Sequence, residues 1–378
     1  IPPIAATPLY YPTTQRCKST TEEALGRTIY EGFQRVVILK QQVRVTDVKW
    51  RQFLDDFRQG CVKSEDVSML DSITLTNPKC IPTDFESDKW KDCCLITPRN
   101  SVRLRWNDAC VRQHCRRTGN QLFKCPAQDT CAEQRSRRPI SLYKKFVSIK
   151  NASSMRNPHK GKREKNGLPD EVLIAIGIKV MVTWNVNTNI DVTNGARGVI
   201  VGIKLDPSEA PFDESTPIVT LTKLPIYILV KLDRTRATAL PGLDKGVIPI
   251  VPTSKSYGIT VPVVQKDNQV KLIKRNVQRL QFPITPAYAF TDYRSQGQTI
   301  SAAIVDIATP PRGQLKRPNV YVALSRCSGL ENIRILRDFD RTILKKPLEL
   351  ELKQEDERLE ALNLETEQWW DEIKQKRE

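Results

Sequence analysis

The sequence holds no apolar run near the roughly 18–20 residues of a bilayer-spanning helix, so no membrane partner is expected. It opens on Ile1 rather than Met, with no signal peptide, and IPPIAATPLYYPTT reads as the interior of a longer protein. The ten cysteines lack the regular spacing of a secreted disulfide framework. They read as reduced thiols of an intracellular protein, nuclear or alternatively mitochondrial. Cys110, His114, Cys115, Cys125 and Cys131 have metal-ligand chemistry, but no C-x-x-C pair is present. The simpler reading puts Cys110 and His114 on one helix, the rest being incidental, so no metal site is expected. No GxxxxGK[ST] occurs either: Gly161-Lys162 is followed by Arg163 and lacks the upstream glycine. No apolar strand ends in an acidic pair; Asp170-Glu171 follows Gly167-Leu168-Pro169, a loop sequence.

What is present is length and positive charge. The 378 residues, 39% of them apolar, suffice for two or three domains with real cores. Sixty Lys and Arg against 43 Asp and Glu leave a net charge of +17. Such an excess suits a polyanion, nucleic acid before an anionic membrane surface, with solubility alone as the alternative. The densest cluster, Arg135 to Lys165, holds Asn, Ser, Pro and Gly and little apolar pattern, and reads as a mobile basic loop.

Periodicity divides the chain. Thr21 to Gly32 reads as a helix capped by Thr20 or Thr21, and the β-branched run Phe33 to Leu39 as a buried strand. Helices are expected over Asp47 to Arg58, over Ser64 to Leu70 with Ser64 as cap, and over Ser101 to Arg117, with a strand at Cys93 to Thr97. This alternation predicts an α/β layer. Beyond the basic loop come short strand-like runs: Ile178 to Trp184, Gly198 to Lys204, Ile218 to Leu221, Ile226 to Leu232, Gly246 to Val251 and Val270 to Leu280. Turn residues such as Asn194-Gly195 separate them, the texture of a small barrel or sandwich. From Ile284 the α/β texture returns: a helix around Ala287 to Ser295, the strand SAAIVDIA, a helix near Val320 to Ser325 and the strand ENIRIL. A charged helical tail follows from Leu348.

Two segments carry the chemistry. YAFTDYRSQGQTI places Thr291, Arg294, Ser295 and Gln296 just before Gly297, where hydroxyls, an amide and a guanidinium suit phosphate contacts. VYVALSRCSGLENIRIL places Arg326 after an apolar helix face, and a guanidinium forks onto phosphate oxygens. In this order, separated by SAAIVDIA, they resemble motifs V and VI of superfamily-one helicases. FQRVVILKQQVRVTD resembles motif IV, and LITPRNSVRLRWN the DNA-contacting strand-loop-helix after it. Residues Ile176 to Ile203 resemble the entry to the small barrel inserted in Pif-type and RecD-like helicases, and IPPIA the tail of motif III. The likeness runs from Ile1 to about Leu336 and is greatest to Helitron-like and fungal members. One departure is Tyr293-Arg294, where the family has His-Lys.

The resemblance implies an α/β fold: a second RecA-like domain of the P-loop NTPase type, with an inserted SH3-like β-barrel. Its parts would be residues 1–130 and 283–345 for the RecA-like domain, 131–185 for the basic connector, 186–282 for the barrel and 346–378 for the tail helix. Arg44 and Arg326 would face the γ-phosphate of ATP. Gln296 and Gly297 would bind nucleotide and couple the sites, while Thr97, Asn100, Thr291, Arg294 and Ser295 would grip single-stranded DNA. ATP and Mg²⁺ belong to the complete family enzyme and need its N-terminal RecA-like domain, so this chain alone is expected to bind neither well and to be inactive. No obligate oligomer is expected. The competing reading is an ATPase-dead nucleic-acid-binding fragment, or a decayed transposon relic.

Overall fold

The computed structural model describes residues 7–11, 21–91, 93–133, 136–139, 168–264, 270–311 and 314–376. IPPIA, Thr20 and most of the Arg135 to Lys165 cluster lie outside them. The elements begin with α1 (Thr21–Glu31), α2 (Val48–Gln59), α3 (Ser64–Ser72), β1 (Cys94–Ile96) and α4 (Asn100–Thr118). Next come β2 (Leu122–Pro126), β3 (Gln128–Glu133), β4 (Ser136–Pro139), β5 (Glu171–Ile174), β6 (Lys179–Val182), β7 (Arg197–Lys204) and β8 (Ile218–Thr220). β9 (Tyr227–Leu232), β10 (Val247–Ile250), β11 (Thr253–Val264), β12 (Val270–Gln281), β13 (Ile284–Pro286) and β14 (Ala289–Phe290) follow. The chain then forms α5 (Asp292–Ser295), β15 (Ala303–Val305), α6 (Arg317–Leu324), β16 (Ile333–Ile335), α7 (Thr342–Lys345) and α8 (Leu350–Gln375). No helix among the described residues is long and apolar enough to cross a membrane.

Two compact units result, Ile1–Arg103 with Phe290–Glu378, and Leu104–Ala289. The first is built on a four-stranded sheet of order β14-β1-β15-β16. β15 runs parallel to β1 on one side and to β16 on the other. All three are buried along their length, as expected of strands covered on both faces; β1 and β15 are wholly apolar, and β16 carries the buried Arg334 between two isoleucines. A parallel bridge from Thr74 to Ile335 extends the sheet beyond β16. Helix α2 buries Trp50, Phe53, Leu54 and Phe57 and exposes Val48, one apolar stripe at helical spacing.

Asp47 caps α2. One carboxylate oxygen accepts from the Trp50 N–H at 3.1 Å and the other from the Leu330 N–H at 3.1 Å. The Ser328 carbonyl meanwhile accepts from the N–H groups of Thr46 and Asp47, so the turn after α6 is pinned to the start of α2. Gly329 is needed there: a Cβ would lie 2.6 Å from that of Asp47.

The second unit carries an antiparallel sheet of order β10-β9-β7-β6-β13. Ile228, Val230 and Leu232 alternate inward along β9, the period of a half-buried strand. Gly198 of β7 admits the neighbouring strand, since a Cβ would sit 2.4 Å from the Lys231 carbonyl oxygen. A second sheet orders as β11-β12-β3-β4, and Arg279 of β12 holds Asp129 of β3 through two bonds, at 2.7 and 2.8 Å. β2 pairs antiparallel with β5 and parallel with β8. Each of the six strand-like runs expected in this region contains a strand.

Three local expectations are corrected. Phe33 to Leu39 is extended but is no strand of a sheet, and Val37 and Leu39 are 73% and 90% exposed. Its backbone is satisfied instead by α8: the Val36 and Ile38 N–H groups donate to Thr366 Oγ1 at 3.0 Å and Asn363 Oδ1 at 2.8 Å. The helix expected over Ala287 to Ser295 shrinks to the single turn α5, because Ala289 and Phe290 join the sheet. Ser64 is the first residue of α3 and not its cap; Lys63 is the cap residue, and its N–H donates to the Asp66 carboxylate at 2.9 Å.

Gly329→Ala should lower stability by about 1–3 kcal/mol in urea unfolding, the usual cost of overpacking, by forcing Asp47 aside. Burial pushes the Asp47 carboxyl up, but the N–H groups of Trp50 and Leu330 outweigh it and hold it below its ordinary value. A lowered folded-state value stabilises above the ordinary carboxylate range and is lost as pH falls through it. Urea midpoints measured down that range should therefore fall less steeply for Asp47→Asn than for the unaltered chain.

Candidate functional site

The residues singled out by sequence gather at the two ends of the parallel sheet. At the exit of β1, the Thr97 N–H donates to the Phe290 carbonyl at 3.0 Å. The chain thus leaves β14 beside the place where it leaves β1, and the segments Thr291 to Arg294 and Pro98 to Arg103 begin as neighbours. β15 exits into Asp306 and β16 towards Arg337. In open α/β sheets this carboxyl end of the strands is where ligands bind.

Asp306 organises that end. Its side chain is fully buried. Oδ2 accepts from Arg99 at 3.1 Å and from Thr97 Oγ1 at 3.3 Å. Arg337 forks onto both oxygens, at 3.0 and 3.1 Å. A buried carboxylate survives only when paired and hydrogen-bonded in this way. Two guanidinium groups on one carboxylate leave a surplus positive charge near the surface, where Arg99 and Arg337 are partly exposed.

The expected phosphate-gripping residues divide by burial. Asn100 is exposed, and Thr291 and Arg294 are half-buried. Thr97 is fully buried with its hydroxyl directed at Asp306, and Ser295 is fully buried with its hydroxyl donating to the Asp292 carbonyl at 2.7 Å. The latter two shape the backbone and offer no free hydroxyl. Burial lowers the Arg294 guanidinium below its ordinary value. Beside it, burial pushes the Asp292 carboxyl up while the Asn319 amide, donating to it, opposes the rise.

At the other end stand Arg326 and Arg44. Strand β15 spans about 10 Å at ~3.3 Å per residue, and at its entrance the Ile300 N–H donates to the Arg326 carbonyl at 3.0 Å. Arg326 is 5% exposed, and its partners among the described residues are neutral: the Val322 carbonyl at 2.7 Å, Ser325 Oγ at 2.7 Å and the Ser295 carbonyl at 3.4 Å. Arg44 Nε donates to Thr299 Oγ1 at 3.1 Å. Burial, with the Arg44 charge adding to it, brings Arg326 down to about 10. Two cations held together on neutral partners favour an anion at this place.

Gln296 and Gly297 lie between the two ends. Gln296 is exposed, and Gly297 takes the left-handed backbone, φ 78°, that turns the chain from α5 back towards β15. The Gln298 amide donates to the Arg294 carbonyl at 2.9 Å.

Sequence reading missed Arg99, Asp306, Arg337 and Asp47. A lone acid within the apolar run of SAAIVDIA was the available signal for Asp306; the arginines had none. Of the thiol and imidazole group, the Cys125 side chain is buried, which pushes its thiol up to about 12. His114 Nε2 lies 3.1 Å from the Ile176 carbonyl oxygen.

A parallel α/β sheet of this kind is a RecA-like fold. The chain is similar in sequence to Pif-type DNA helicases. It is 28% identical over 229 residues to the ATP-dependent DNA helicase Pif1 of Psychrobacter sp. PRwf-1, covering 54% of this chain and 31% of that protein. To human ATP-dependent DNA helicase PIF1 it is 24% identical over 277 residues, covering 69% and 36%. The crystal structure of the Candida albicans Pif1 helicase superposes with a TM-score of 0.50 at 16% identity, over 83% of this chain and 58% of that one. The chain thus spans about a third of the length of these two sequence relatives. No protein-family model matches it.

Asp306→Asn leaves the Arg99 and Arg337 guanidinium groups without their carboxylate. It should cost about 3 kcal/mol in urea unfolding, the low end for breaking a buried pair because both arginines are partly exposed. A loss under 1 kcal/mol would show that Asp306 does not organise this end of the sheet.

Proposed function

We propose that the chain acts as the second RecA-like module of a Pif-type helicase, gripping single-stranded DNA at the strand exits and supplying two arginines to a nucleotide. The observation that carries this is Arg326, buried beside Arg44 with only neutral partners. An arginine kept charged without an acid suits a phosphate that arrives from elsewhere. The names of the relatives give the nucleotide and the strand: ATP-dependent DNA helicases.

In this reading the RecA-like domain takes residues 1–130 and 283–345, and the β-rich block over 186–282 is the inserted SH3-like barrel. ATP and Mg²⁺ would be cradled by a P-loop module this chain does not contain. Bound there, ATP supplies the phosphoryl group. Arg44 and Arg326 would offset the charge on its γ-phosphate, a contribution worth about 10³–10⁵ in rate where such arginines are measured. Arg294, Asn100 and Thr291 would hold the DNA backbone, and Thr97 and Ser295 set their positions from beneath. Gln296 and Gly297, on the only stretch that joins α5 to β15, would carry the state of one end to the other.

The purified chain should release no phosphate from ATP above background, with or without single-stranded DNA. Turnover that depends on both Arg326 and DNA would overturn the division of labour. The same chain should bind a fluorescent oligo-dT in an anisotropy titration. With three or four phosphates engaged, log affinity against log salt should have a slope of about −2 to −3. Arg294→Ala should weaken binding and flatten the slope, whereas Arg326→Ala should leave both within twofold. Equal effects of the two changes would remove the distinction between a DNA end and a nucleotide end.

A further inference from the structure

Arg103 is unexplained by anything above. It lies one turn into α4, and its Nε donates to Asn100 Oδ1 at 3.4 Å. Its NH1 is buried, and among the described residues it meets no acceptor. No carboxylate among the described residues pairs with it or with Arg294. Their segments nonetheless begin side by side: the Thr97 to Phe290 bond joins the roots of the two, and burial, with the charge of Arg294 adding to it, lowers Arg103. Bringing two guanidinium groups together, partly desolvated and without an acid, is unfavourable for the folded chain alone. A donor left pointing at nothing adds to that cost.

We propose that Arg103 and Arg294 together form a seat for one phosphodiester of a bound single strand, with Asn100 holding Arg103 in place. The inference rests on the DNA-binding reading and adds to it a residue which that reading leaves unused. A phosphate oxyanion accepts from two guanidinium forks at once, offsets their repulsion and engages the orphaned N–H. Free phosphate would offer the same oxygens, but a strand suits the surroundings better. Tyr293, next to Arg294, is 41% exposed and presents a ring on which a base can stack. The exposed Asn100 and the half-buried Thr291 stand at the same strand exits.

The test is a double-mutant cycle on oligo-dT binding by anisotropy, using Arg103→Gln, Arg294→Gln and the double variant, with unfolding midpoints to confirm that each is folded. A charge-assisted bond is worth roughly tenfold or more in affinity, so each single change should weaken binding about tenfold. The double variant should be clearly less weakened than the product of the two, because both remove the same phosphate. Arg103→Lys keeps the charge without the fork and should fall between Arg103 and Gln. Inorganic phosphate at matched ionic strength should displace little of the oligonucleotide. If Arg103→Gln binds within twofold while Arg294→Gln does not, or if the two losses simply multiply, the shared seat is wrong and the DNA reading stands. If inorganic phosphate abolishes the Arg103-dependent part of binding, the seat belongs to a free anion. If the unaltered chain binds no oligonucleotide at low salt, the DNA reading and the seat fall together.

Discussion

The sheet end proposed to bind DNA depends on the Asp306 carboxylate. Three parallel strands leave the sheet side by side, and their following segments must be held in register although each is irregular. Asp306, fully buried at the end of β15, takes Thr97 and Arg99 from the exit of β1 and Arg337 from the exit of β16. One side chain thereby fixes three loops. A charge withdrawn from water is costly alone, and here it is offset by the Arg337 fork and one bond from Arg99, two guanidinium groups that also bring positive potential to the strand exits.

The opposite end is built by a different device. Arg326 is positioned by hydrogen bonds to carbonyls and a hydroxyl, with no acid among the described residues bonded to it. Asp47 and Gly329 fix the turn that follows it against α2, so Arg44, three residues before Asp47, and Arg326, three residues before Gly329, are tied into one corner. One end sets its central acid between its own arginines; the other leaves its arginines on neutral partners. The Thr291 to Ile300 segment is the short connection between them, rooted beside β1 at one end and bonded to the Arg326 carbonyl at the other.

Much of this was legible in sequence wherever a local period existed. Phe53, Leu54 and Phe57 gave α2, and the alternation around Ile228 and Val230 gave β9. The ordered pair of arginine-bearing segments singled out Arg294 and Arg326 within the sequence. Local period misled at Phe33 to Leu39, because β-branched residues favour extended backbone but do not choose the neighbour that satisfies it. Here Asn363 and Thr366, some 325 residues away, took that place.

The sequence by itself determined the basic surface, the positions of the apolar strands and the order of the motif segments, since each follows from composition or from short-range spacing. Only the tertiary structure decided which polar groups within those motifs face outward. Thr97 and Thr291 are the same residue type in equivalent positions after a strand, yet one is sealed against Asp306 and the other is half-buried at the surface. Only the tertiary structure, likewise, joined the segments of Arg103 and Arg294 and gave Arg99 to Asp306. Burial and hydrogen bonding are properties of neighbours brought together across separations such as the 330 residues from Val36 to Thr366, and no local pattern encodes them.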